Sequence, residues 1–120
     1  MRVGVIEIMD TGHIVLAETL CRIFCVDSRN EVFLFTNEKH ADNLKFLCDR
    51  FSNLTLSVKS SMQNEKDFLR EIGSVQLDRI YIVTLIKLFR ELATWRLSKR
   101  LFLLIHNLDE WFGILIFEGG

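Results

Sequence analysis

The sequence contains no proline. Its absence removes the commonest helix-stopping residue, so turns and helix ends must be made by glycine, asparagine, aspartate and serine. The chain also has little net charge, −1 at pH 7. A value this small gives no broad electrostatic attraction to phosphate backbones, so nucleic acid is not predicted as a partner.

Cysteine is scarce, with three residues in the chain. Cys21 and Cys25 lie four residues apart on a predicted helix and Cys48 lies on the next, which favours small packing residues over ligands. A zinc site would need a fourth ligand at a recognisable spacing, so no metal is predicted. There is neither a basic start followed by an apolar signal core nor an apolar run of membrane-spanning length, so a cytoplasmic location is expected.

The apolar content, in contrast, is high. Apolar residues make up 49% of the 120-residue chain, and they include ten Phe and two Trp. This composition is enough to bury a core without disulfide or metal cross-links, and the length fits one domain and not two. We therefore expect a single domain over residues 1–120.

The apolar runs alternate with helix-like segments along the chain. Such alternation predicts a three-layer, Rossmann-like α/β domain with a mainly parallel sheet. Right-handed crossovers then favour five strands in the order 3-2-1-4-5. The predicted strands are residues 3–8, 31–36, 54–58, 79–85 and 101–106, and the predicted helices begin at Ile14, after an Asn37 cap, near Asp67 and at Lys87.

A ligand site is expected beyond the carboxyl ends of these strands. In an open parallel sheet the deepest crevice lies where the strand order reverses, here between the first and fourth strands. The end of the fifth strand would lie about 10 Å from the first, two strand spacings away. The candidate substrate-binding residues at this edge are Thr11, Gly12, Thr84, His106, Asn107 and Asp109, and the candidate catalytic residues are Asp10 and His13.

The Gly12-His13 pair opens the first predicted helix. Glycine there lets the backbone approach a ligand, and the free N–H groups of a helix start favour anions. A neutral imidazole at His13 could accept a proton from an attacking hydroxyl, or it could serve only as a capping or acceptor-contacting group. The fingerprint G-x-G-x-x-G is absent, which argues against NAD or FAD.

Three further side chains need an interpretation, which stays open for His106 and Glu7. His106 ends an apolar strand, so it is either a hydrogen-bonded core residue or a substrate contact. His40 is predicted to lie on an exposed helix without a special role. Glu7 lies in a strand that should be buried, so it either pairs with a basic neighbour or sits at the mouth of the strand near the site.

The helix that begins at Lys87 is basic on one side and apolar on the other. This pattern is typical of a core-facing helix with a solvated basic face. The alternative is an interfacial helix that contacts anionic lipid, which would make the protein membrane-peripheral.

Several segments together resemble a known family. The opening RVGVIEI, the Gly12-His13 loop and the strand EVFLFT resemble the start of GT-B type glycosyltransferases. The segment Ile105-His106-Asn107-Leu108, followed by Trp111-Phe112, is similar to the HN or HD pair after the fifth strand of those enzymes. The resemblance covers nearly the whole chain and identifies it as the N-terminal, acceptor-side domain.

The resemblance implies a function in which two domains bind different substrates. This domain would hold the acceptor, which could be a glycan, a lipid or a small molecule, with His13 near the reacting centre and His106 and Asn107 lining the cleft. A second domain would bind a nucleotide sugar as co-substrate, and no metal or cofactor is required. The sequence ends at Gly120 without that domain. We therefore expect the chain to need a donor-domain partner for activity, and its apolar residues 111–117 to seek cover, as in a homodimer.

Two other interpretations stay open at this point. The chain could be a non-catalytic Rossmann-like interaction module that kept the fold and lost the chemistry. It could also be a fragment of a nucleotide-binding oxidoreductase, which would bind its nucleotide at Gly12.

Overall fold

The structure, a computed structural model, describes residues 1–8, 14–85, 100–107 and 112–118. The predicted helix after Lys87 lies outside these ranges. The strands are β1 (Arg2–Glu7), β2 (Glu31–Asn37), β3 (Leu54–Lys59), β4 (Arg79–Leu85), β5 (Arg100–Asn107) and β6 (Phe112–Glu118). The described helices are α1 (Ile14–Cys25), α2 (Glu38–Leu44), α3 (Phe46–Arg50) and α4 (Glu65–Ser74).

All six strands form one sheet in the order β3-β2-β1-β4-β6-β5. β1 pairs in parallel with both β2 and β4, and β2 pairs in parallel with β3. The predicted α/β class and the predicted order 3-2-1-4 are therefore confirmed for the first four strands. The order reverses between β1 and β4, so the carboxyl edge of the sheet has its switch point there.

The prediction of five strands in the order 3-2-1-4-5 is not confirmed. β6 lies between β4 and β5 and is antiparallel to both. The apolar residues at 112–117, which were expected to seek cover at the end of the chain, form most of β6. The connection after β5 is too short for a crossover helix, so the next strand must return beside it as an antiparallel neighbour. β5 still runs in the same direction as β4.

Helices cover both faces of the sheet, as predicted for a three-layer domain. Side chains alternate along β1, which places Val3 and Val5 on one face and Ile6 on the other. The first face packs against α1, α2 and α3 through Ala17, Leu20, Cys21, Leu44 and Leu47. The second face packs against α4 through Phe68 and Ile72. Each large apolar side chain buried in this way contributes about 1.5–3 kcal/mol.

Gly4 allows a close approach in the second of these cores. A Cβ atom at this position would lie 2.6 Å from Cδ1 of Leu77. Leu77 itself is buried, so its side chain has little room to move away. The strand at the centre of the sheet therefore needs glycine at this point for the packing of Leu77 and not for a special backbone conformation.

The loop between α1 and β2 is held by one amide side chain. Nδ2 of Asn53 donates hydrogen bonds to the carbonyl oxygens of Cys25, Asp27 and Asn30 at 3.1, 3.3 and 3.0 Å. These bonds satisfy carbonyl groups at and beyond the end of α1, which have no partner within the helix. Asn53 thus joins the start of β3 to the far end of α1.

We expect the Gly4→Ala variant to be less stable than the wild type by about 1–3 kcal/mol, because overpacking forces Leu77 out of its position. Chemical unfolding measures the change. Gly73→Ala is the matched control, since a Cβ there meets nothing within 4 Å and alanine favours the helix. In the double variant, Leu77→Ala should remove the stability loss caused by Gly4→Ala, because the clash is then absent. A double variant in which that loss persists would contradict this explanation.

The Asn53→Ala variant should lose about 2 kcal/mol of unfolding free energy, since the carbonyl groups of Cys25 and Asn30 lose the Asn53 donor, whereas that of Asp27 keeps the Asn30 backbone N–H. Thermal and urea unfolding check this value against Asn43→Ala, which replaces an exposed asparagine on α2. Equal unfolding midpoints for the two variants would show that Asn53 does not hold the loop.

Candidate functional site

The predicted site residues are divided by the structure into three groups. Thr84 lies near the carboxyl end of β4, opposite Gly113 of β6. His106 and Asn107 end β5. Both strands run towards the predicted edge of the sheet. The remaining predicted residues, Asp10, Thr11, Gly12, His13 and Asp109, lie outside the described residues.

The insertion of β6 changes the spacing along this edge. Asn107 and Leu85 both pair with Phe112, so the ends of β5 and β4 lie at the same level. The end of β5 is three strand spacings from β1, about 14 Å instead of the predicted 10 Å. The predicted contact of His106 and Asn107 with the switch point therefore needs a ligand that spans this larger distance.

Glu7 is the unusual residue at the switch point. It ends β1, its side chain is fully buried, and it lies on the face of the sheet that packs against α1 and α2. Its register partner on β2 is Thr36, whose hydroxyl donates a hydrogen bond to Oε2 of Glu7 at 3.0 Å. A carboxyl group in this position must be paired, because burying an isolated charge is costly.

His40 supplies the principal partner. Its Nδ1 atom lies 3.0 Å from Oε1 and 2.9 Å from Oε2 of Glu7. His40 lies on a helix with exposed residues, as predicted, but its own side chain is only 13% exposed. The open interpretation of Glu7 is resolved by this contact: it both pairs with a basic neighbour and lies at the mouth of its strand.

Asn37 fixes His40 relative to the sheet. It is the N-cap of α2, as predicted, and its Oδ1 accepts a hydrogen bond from the His40 backbone N–H at 3.1 Å. Its Nδ2 donates to the Ile8 carbonyl oxygen, also at 3.1 Å. One asparagine therefore ties the end of β1 to the first turn of α2 and places the imidazole over the Glu7 carboxylate.

The electrostatics of this cluster follow from burial. Loss of solvation raises the pKa of Glu7 above its ordinary value of 4.5. Hydrogen bonds from His40 and Thr36, with the charge of His40, lower the pKa in the opposite direction and offset part of the effect. A carboxylate at Nδ1 also fixes the ring orientation, which is how proteins prepare a histidine for proton transfer or ligand contact.

The sequence contains a signal for this cluster. A glutamate inside an apolar strand requires a donor from a neighbouring element. The neighbouring strand β2 ends in an N-cap asparagine, and the third residue after such a cap points back towards the helix start. His40 is that residue. These two facts make His40 one candidate partner for Glu7, and the packing of α2 on the sheet decides the choice.

The cysteines are packing residues, as predicted. Cys21 and Cys25 are buried in the core beneath α1, and Cys48 packs against it. Burial raises the pKa of Cys21, and it raises the pKa of Cys25 to about 11. These thiols are therefore protonated near neutral pH and are poor nucleophiles. The described residues contain no group of three metal-ligating side chains.

The described helices are all too short or too polar to cross a lipid bilayer.

The pKa of Glu7 predicts the sign of a pH dependence. Because the pKa is raised on folding, the folded state binds the proton more tightly, and stability falls as pH rises from 4.5 through the folded pKa. The Glu7→Gln variant carries no such charge, so its stability relative to wild type should increase between about pH 4 and about pH 7. Urea unfolding across this range measures the difference.

Glu38→Gln is the control with the opposite sign. Glu38 accepts a hydrogen bond from the Ser61 backbone N–H, and this contact lowers its pKa. The Glu38 carboxylate therefore stabilises the fold above its unfolded pKa, and this stabilisation is lost as pH falls. The stability of Glu38→Gln relative to wild type should therefore decrease as pH rises to neutral. A Glu7→Gln difference that shrinks as pH rises would contradict the assignment.

Comparisons of the chain with protein-family models, with curated proteins and with solved structures found no match.

Proposed function

We propose that this chain is the acceptor-binding domain of a GT-B type glycosyltransferase, which acts with a donor-binding domain or partner chain. In that enzyme a sugar passes from a nucleotide sugar to an acceptor hydroxyl held at the carboxyl edge of the sheet. The observation that carries the proposal is the buried Glu7–His40–Thr36 cluster at the end of β1, beside the switch point.

A buried carboxylate and its partners are not the arrangement that stabilises a core most. Well-packed apolar residues of similar volume stabilise a core as well as, or better than, a buried ion pair. A carboxylate and an imidazole at the place where open parallel sheets bind ligands therefore favour a functional explanation. The strand order and the predicted Gly12-His13 loop after β1 are in keeping with this explanation.

The charge of the cluster favours one class of ligand. The buried Glu7 carboxylate lies at the end of β1, where dinucleotide-binding domains place a glycine-rich loop against pyrophosphate. A negative group there repels phosphate. Neutral hydroxyl groups can instead donate to and accept from imidazole, amide and hydroxyl side chains. A saccharide or another polyhydroxylated acceptor suits this edge better than a nucleotide.

In the proposed reaction His13 and Asp10 are the catalytic candidates predicted from the sequence. His13 would take the proton of the acceptor hydroxyl as its oxygen bonds to the anomeric carbon. The bond from that carbon to the nucleoside diphosphate would break, and the diphosphate would leave with the electron pair. His106 and Asn107 would contact the acceptor or sugar farther along the edge.

We expect the isolated chain to bind neutral saccharides at the carboxyl edge. Backbone amide NMR spectra of the labelled chain would be recorded with methyl glycosides of glucose, galactose, mannose and N-acetylglucosamine. Residues 7–14, 36–40 and 84–86 should shift, and His13→Ala should weaken binding about tenfold, a loss of about 1.4 kcal/mol.

Three possible results of the same experiment would contradict the proposal. NAD or a nucleoside diphosphate that shifts the signals near Gly12 more strongly than any glycoside would favour the oxidoreductase interpretation. Glycosides that shift signals only elsewhere would remove the site. Absence of any shift would favour the non-catalytic module. The Asp42→Asn variant, altered at an exposed position of α2, serves as the binding control.

A further inference from the structure

The two ring nitrogens of His40 have different surroundings. Nδ1 is engaged by both carboxylate oxygens of Glu7. Nε2 has no hydrogen-bond partner within the part of the chain that the structure describes. The side chain nevertheless keeps 13% of its surface exposed, whereas the Glu7 side chain has none. The carboxylate therefore occupies Nδ1, and among the described residues Nε2 is the ring nitrogen left for a further contact.

The parts that hold the ring are rigid. Glu7 lies in the central strand β1 and pairs with β2 on one side. On the other side, the pairing of β1 with β4 reaches the preceding residue, Ile6. Thr36 fixes one carboxylate oxygen from the neighbouring strand. Asn37 fixes the His40 backbone through the helix cap. Because backbone and ring are both held, the imidazole can meet a ligand with little loss of side-chain entropy.

We propose that His40 is a ligand-contacting residue, whose Nε2 accepts a hydrogen bond from an acceptor hydroxyl, and that Glu7 is the positioning residue that holds it for this contact. This inference rests on the proposed function and deepens it. It adds a residue from α2 to the candidates predicted from the sequence, and it commits the site to a neutral hydroxyl ligand.

The chemistry of the pair selects such a ligand. In the neutral ring whose Nδ1–H donates to an ionised Glu7, Nε2 carries a lone pair and acts only as an acceptor. A sugar hydroxyl can donate to that lone pair. A phosphate oxygen has no proton to donate at neutral pH, and it would also face the buried negative charge of Glu7. The dyad thus distinguishes a hydroxyl-bearing acceptor from an anionic group.

Two variants separate this role from a purely structural one. His40→Asn keeps an amide donor near the position of Nδ1 and removes Nε2, so it should fold with an unfolding midpoint close to that of wild type. His40→Gln places its amide near the position of Nε2 and leaves Glu7 without its donor, so it should lose stability. Asp42→Asn on the same helix should alter neither stability nor binding.

The first measurement needs no ligand. Ring-nitrogen NMR of the free wild-type chain at neutral pH should show a His40 ring with a proton on Nδ1 and none on Nε2. A neutral ring with its proton on Nε2 would overturn the inference, since Glu7 would then be the donor and Nε2 could not accept from a hydroxyl. On titration with a methyl glycoside that binds, the Nε2 signal should shift.

The second measurement compares affinities for that glycoside. We expect His40→Asn to bind about tenfold more weakly than wild type while keeping its stability, the size expected for one lost hydrogen bond. Equal affinity in the two proteins would overturn the role of His40 and leave the proposed function standing. A wild-type chain that binds no glycoside would overturn both the role of His40 and the proposed function. The two results therefore distinguish failure of this inference from failure of the proposed function.

Discussion

The burial of Glu7 is the constraint on which the carboxyl edge of this protein depends. A carboxylate with no exposed surface can exist at the centre of a sheet only if donors surround it. Thr36 and His40 supply those donors from the next strand and the next helix. Their positions in turn require the register of β1 with β2 and the Asn37 cap. The need of Glu7 for hydrogen-bond donors thus links the positions of β1, β2 and α2.

The rest of the fold keeps β1 in place for this purpose. Its apolar residues enter two separate cores, one beneath α1–α3 and one beneath α4. Gly4 lets Leu77 close the second core against the strand, and Asn53 fastens the far end of α1. These contacts lie towards the amino edge of the sheet, away from Glu7. The Gly4 and Asn53 contacts and the Glu7–His40 pair therefore lie towards opposite edges of the same sheet.

The sequence predicted the parts of the structure that depend on local pattern. The first four strands, their order, the helix cap at Asn37 and the packing role of the cysteines all follow from residue type and spacing, because each is decided within a few residues or by the handedness of a crossover. The pairing of Glu7 with His40 was missed because it joins residues 33 positions apart. Pattern indicates that a buried acid needs a partner, but not which element brings it.

The sequence by itself determined an apolar α/β chain with a parallel core, a switch point after β1 and a buried acid in that strand. Only the tertiary structure decided that β6 enters the sheet between β4 and β5, and that the histidine of α2 covers the acid. The physical reason is the same in both cases. Strand pairing and side-chain contacts between distant residues are chosen by how whole elements pack, and local propensity carries no information about that choice.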